Sequence, residues 1–91
     1  MSPQAIADPE ELERFAQELK QFNALLGDSM GRLNGRFSRL GDTWRDQEHE
    51  KFAHAFTETL QALARFVEAS QQHIPFLLRK AERIDEYLQQ R

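Results

Sequence analysis

Leucine recurs at every seventh position from Leu12 through Leu19, Leu26 and Leu33 to Leu40. Phe15, Phe22, Met30 and Phe37 fill the alternating three- or four-residue spacing, and mostly polar side chains occupy the positions between. This is an apolar seam on a polar helix, the pattern of a helix lying along another helix. A second run repeats it. Phe56, Leu63, Leu77 and Ile84 share one heptad line, with Ser70 as its polar member, and Leu60, Val67, Ile74, Ala81 and Leu88 form the other. The phase holds from Phe52 to Leu88, through Pro75. An interior proline costs about 3 kcal/mol and usually kinks a helix. Because the register agrees on both sides, the run predicts one kinked helix rather than two.

The ends carry their own signals. Asp8 suits an N-cap, Pro9 the first helical position, and Glu10 and Glu11 the positive end of the helix dipole. Gly41, Asp42 and Thr43 break the first run; glycine suits a left-handed C-terminal position, and Asp and Thr suit turns and caps. The expected organisation is a flexible tail over 1–7 and a single domain over 8–91. Within that domain we expect a helix over 9–40, a turn over 41–46 and a helix over 47–89 kinked near Pro75. The fold class is all-α, an antiparallel two-helix hairpin.

Such a hairpin leaves apolar surface over. At about 100° per residue, the apolar side chains of the second helix spread over roughly 140°, wider than one neighbouring helix covers. The excess includes several Phe and Leu side chains, each worth about 1.5–3 kcal/mol on burial. A second hairpin is the simplest cover, so the chain is expected to dimerise into a four-helix bundle, with itself or with a similar small helical protein. The expected interface and core are Leu12, Phe15, Leu19, Phe22, Leu26, Met30, Leu33, Phe37, Phe56, Leu60, Leu63, Val67, Ile74 and Leu77.

Charge adds a second strand of evidence. The first helix starts acidic (Glu10, Glu11, Glu13) and ends basic (Arg32, Arg36, Arg39), while the second starts acidic (Glu48, Glu50) and ends basic (Arg79, Lys80, Arg83). A fold-back at residues 41–43 brings opposite clusters near one another, although each helix dipole favours the same distribution and exposed pairs contribute only about 0–1 kcal/mol. Gly27, Gly31 and Gly35 repeat every fourth residue inside the first helix. They serve either close helix approach on that flank or a locally weak helix, and the sequence does not choose.

Composition narrows the function classes. The 91 residues are 40% apolar and 30% charged, with a net charge of −3 and no cysteine. Disulfide frameworks and thiolate chemistry are excluded, and the acidic balance argues against nucleic acid as the main partner. No stretch is apolar enough to span a bilayer. The opening "MSPQAIADPEE" has neither a basic nor an apolar segment of a cleaved secretory signal. "HEKFAH" places His49 and His54 five apart, about 140° around the helix, not the four-residue spacing of a zinc protease, so both read as solvated polar groups. Nothing points to a catalytic pair, a cofactor or a metal site.

The remaining feature is "LGDTWRDQEHEKF", which holds the chain's only tryptophan at the break between the two helices. Trp44 there suits a corner whose indole covers the end of the bundle and whose N–H finds a carbonyl. A hairpin of this length with Trp in its turn resembles the WXG family of type VII secretion substrates, the early secreted antigenic target-like proteins. Their motif is Trp-x-Gly followed by an aromatic residue near the eighth position after the Trp. Here Trp44, Arg45 and Asp46 stand in the motif and Phe52 in the aromatic position; Asp46 replaces the Gly. The substitution is tolerable if the position needs an N-cap, and damaging if it needs a positive φ. Tyr87, in "YLQQR", stands where the family carries a Tyr-x-x-x-Asp/Glu export signal, with Arg91 in the acidic position. The resemblance implies a non-enzymatic interaction protein, a secretion substrate or a partner or adaptor of one, recognised in part by a secretion ATPase. It implies either secretion without a cleaved signal peptide or a cytoplasmic relative. The alternative from a different class is an intracellular coiled-coil adaptor or chaperone-like dimer with no export role.

Overall fold

Asp8 starts the first helix as the sequence suggests: its carboxylate accepts a hydrogen bond from the Glu10 N–H at 2.9 Å, and Pro9 follows in the first turn. The computed structural model describes residues 7–90. The tail expected over 1–7 lies, except for Ala7, outside the described residues, as does Arg91. α1 runs unbroken over Pro9–Leu40 and α2 over Gln47–Gln89. Gly27, Gly31 and Gly35 do not interrupt α1, nor does Pro75 interrupt α2. In the turn before Pro75, the Ser70 hydroxyl donates to the Phe66 carbonyl at 2.7 Å and His73 Nδ1 lies 2.9 Å from the Ala69 carbonyl.

The helices fold back on each other as a hairpin 68 × 22 × 15 Å in extent. Their radius of gyration is 20.2 Å, against about 12 Å for a globular chain of this length. This rod is one helix layer thick. Its accessible surface, 7342 Å² for 10.7 kDa, exceeds by roughly 1,800 Å² what a compact monomer of that mass exposes.

The seam between the helices runs through Leu12, Ala16, Leu19, Asn23, Leu26, Met30 and Phe37 of α1. It meets Ala53, Phe56, Leu60, Leu63, Val67, Ser70, Ile74, Leu77, Ala81 and Ile84 of α2. Among the described residues, the buried ones are Ala16, Asn23, Ser70 and Ala81, all small or polar, and no large side chain is fully buried. Phe15, Phe22 and Leu33, expected among the interface and core residues, are 55%, 51% and 55% exposed. The hairpin turns the neighbouring line inward instead, so Ala16 and Asn23 sit where the helices press closest. Small side chains permit that approach, while the larger ones are displaced to its flank.

One expectation at the turn is corrected. Gly41 has φ −63°, in the right-handed region, so it is not a left-handed terminator. A Cβ there would lie 3.3 Å from the Ser38 carbonyl oxygen and 3.6 Å from His49 Nε2, so the glycine bears on room, not on handedness. The Arg14–Glu11 ion pair and the His54–Glu58 contact among the described residues lie within single helices. Among the described residues, no ion pair joins α1 to α2.

Candidate interaction surfaces

The turn is closed by backbone bonds. The Leu40 carbonyl accepts the N–H groups of Thr43 and Trp44, at 3.1 and 3.0 Å, and the Thr43 hydroxyl at 3.3 Å. Arg45 reaches back, and its Nε–H donates to the Gly41 carbonyl at 3.1 Å, where a cation suits the negative end of α1. Asp46 then begins α2. Its carboxylate accepts the His49 N–H at 3.0 Å, and its backbone is extended, φ −128° and ψ −174°. The third motif position is thus an N-cap with negative φ, and a glycine is not required there.

This geometry assembles an aromatic end to the rod. Phe37 of α1 is its hub: its ring lies 4.9 Å from Phe56, 5.6 Å from Phe52 and 5.2 Å from the His49 imidazole. Trp44 meets His49 edge-on at 4.9 Å and tilts against Phe52 at 6.4 Å. The indole covers the end of the seam, as a corner residue would, but among the described residues its N–H donates no hydrogen bond to a carbonyl. The backbone bonds described above hold the corner instead.

His49 is the residue that reading by polarity missed. It is half-buried, with Nε2 enclosed and without a partner among the described residues, and it is not a solvated group. The signal was in the phase, because His49 stands seven before Phe56 on the line that continues through Leu63 and Ser70. His54 points elsewhere, with Nε2 3.3 Å from Glu58. Gly27, Gly31 and Gly35 would each meet nothing within 4 Å if given a Cβ. Close approach of α1 to α2 therefore does not explain them.

Along one face of the rod lies a broader apolar surface. At about 100° per residue, Phe15, Phe22, Leu33 and Leu40 stand within roughly 20° of one another on α1. All four are exposed, Leu40 at 45%. Phe66 of α2 meets Phe22 edge-on at 6.2 Å, which places it on the same face. Two shallow troughs open there, one bordered by Phe15, Leu19, Phe66 and Leu77, the other by Leu33, Leu40, Phe52 and Phe56. Exposed large apolar side chains that line up on one face are the kind of surface at which proteins bind partners. Tyr87, 65% exposed, stands on the last turns of α2 at the opposite end from Trp44. No helix among the described residues is long and apolar enough to cross a membrane.

The architecture, two long helices joined by a tryptophan turn, agrees with the comparison by sequence. A family described as WXG100, proteins of 100 residues with WXG, matches over residues 4–87. No curated protein and no solved structure matches the chain. The chain belongs to the WXG100 family, small helical proteins associated with type VII secretion.

Proposed function

We propose that this hairpin acts as a type VII secretion substrate, or as the partner that accompanies one, by laying its apolar face on a second helical hairpin. The observation that carries the reading is the emptiness of the core: no large side chain is fully buried, and the long apolar residues line one exposed face. Covering Phe15, Phe22, Leu33, Leu40, Phe52 and Phe66 is worth about 1.5–3 kcal/mol for each side chain fully buried. The surplus surface of roughly 1,800 Å² exceeds the ~800 Å² that each partner contributes to a standard interface. The bundle so formed is a non-enzymatic binding unit. Its Trp44 end, with Phe37, His49 and Phe52, is the surface proposed for a secretion ATPase or another component of the export route.

The test is export from an expressing host, compared with a strain lacking the secretion ATPase. The reading predicts the chain in the medium or cell-surface fraction of the first strain and its retention in the second. Retention in both strains, with a partner chain co-purifying from the cytoplasm, would replace it with an intracellular adaptor.

A further inference from the structure

A weak stretch of helix lies in the middle of α1. Residues 23–35, "NALLGDSMGRLNG", hold Gly27, Gly31 and Gly35 together with Asn23, Asp28, Ser29 and Asn34. Glycine makes a helical position about two- to fivefold less favourable than alanine does. Asp, Ser and Asn compete with the helix through hydrogen bonds to nearby backbone. Within the hairpin nothing crowds the glycines: all three stand inside an unbroken helix, and a Cβ at each meets open space. The stretch of α2 alongside, Phe56 to Phe66, holds neither glycine nor proline.

The seam is weak at the same level. Asn23 is 5% exposed, and both polar atoms of its amide are enclosed without a hydrogen-bond partner among the described residues. A polar group buried unpaired opposes packing there. Beyond it, the arm Pro9–Phe22 turns Leu12, Ala16 and Leu19 to α2; Ala16 is buried and the two leucines are half-buried. That arm meets Ser70, whose hydroxyl donates to the Phe66 carbonyl, and the turns on either side of Pro75. The other end of the rod is held differently. Phe37 of α1 meets three rings of α2 at 4.9, 5.2 and 5.6 Å, and backbone bonds close the turn beside them.

We propose that residues 23–35 are a hinge built into α1, over which the helix opens while α2 and the aromatic end stay closed, so that the arm Pro9–Phe22 leaves α2. The opening is local because poor helix formers and an unpaired amide set its cost, and the rings at the turn do not enter it. It bares the inward line of α2 at Ser70, Ile74, Leu77 and Ala81, which the closed hairpin covers in whole or in part. Once detached, so short an arm is marginal as a helix.

Hydrogen exchange of the full-length chain, read amide by amide and corrected for intrinsic rates, tests the hinge. Amides of 13–35 should be at least about tenfold less protected than those of 56–66. Replacing Gly27, Gly31 and Gly35 together by Ala should raise the protection of 23–35 about tenfold or more. Trp44→Ala, which weakens the closed end, should lower the protection of 56–66 about fivefold and leave 23–35 within about twofold. Circular dichroism of each variant confirms that the helices remain. Equal protection of 23–35 and 56–66, or an equal fall in both with Trp44→Ala, would show that the hairpin opens only as a whole and would overturn the hinge. So would a triple alanine variant whose residues 23–35 exchange as fast as before. Amides of 13–22 as well protected as those of 56–66 would overturn the release of the arm.

Discussion

The imidazole of His49 lies parallel to the phenyl ring of Phe37, with 5.2 Å between centroids and 6° between planes. One residue is three positions into α2 and the other three short of the end of α1, so the stack ties the two helices beside their turn. Gly41 leaves the space in which the imidazole lies, and Trp44 closes its edge. The cluster explains why the tryptophan stands at the break: with His49 and Phe52 it forms the lid over the end of the apolar seam.

An enclosed ring nitrogen without a partner costs about 1–3 kcal/mol. His49→Phe keeps the stacking surface and removes that nitrogen, so the thermal midpoint should rise by several degrees. His49→Ala loses the stack and should lower it. Thermal melts followed by circular dichroism decide the point, and a fall with Phe would show that the nitrogen is satisfied.

Asp46 caps α2 with negative φ. Asp46→Gly, which writes the family's Trp-x-Gly into this chain, should change stability by only a few tenths of a kcal/mol, whereas Asp46→Ala should cost about 1 kcal/mol. Chemical denaturation of both variants measures the difference. A large gain with Gly would mean that the turn prefers another backbone conformation.

The glycines should divide by environment. A Cβ at Gly27, Gly31 or Gly35 meets open space, so each Ala variant should gain about 0.5–1 kcal/mol from helix propensity. Gly41→Ala, pressed against the Ser38 carbonyl and His49, should lose about 1 kcal/mol. A loss at Gly27, Gly31 or Gly35, read together with weaker self-association, would place that residue in a contact between chains.

Trp44→Ala should lower the melting temperature by several degrees, because it opens the lid over Phe52 and His49. Arg45→Ala removes one exposed hydrogen bond, worth about 0.5–1 kcal/mol at most, and should shift the melting temperature far less. Equal, small effects would deny Trp44 its packing role.

The helical hairpin was legible in the sequence because a seven-residue apolar repeat has few other uses. What the repeat left open is which of two neighbouring lines faces inward. Phe15, Phe22 and Leu33 are the more apolar choice, yet Ala16 and Asn23 take the inner place, since a lone helix pair packs closest through small side chains while the larger ones wait on the flank. Hydrophobicity ranks side chains by how much they gain from burial, and the hairpin alone does not bury these three. His49 was overlooked because its chemistry outweighed its phase. Gly41 was assigned a handedness because sequence carries no sign of the ring that presses on it. The cap at Asp46 was readable, since Asp serves that position as well as Gly does.

The account stands on the hairpin being half of a larger core, and molar mass in solution tests this most directly. Light scattering of the purified chain at micromolar concentration should give about 21 kDa, twice the chain's 10.7 kDa. A single species at the mass of one chain, fully helical and melting cooperatively up to millimolar concentration, would contradict it.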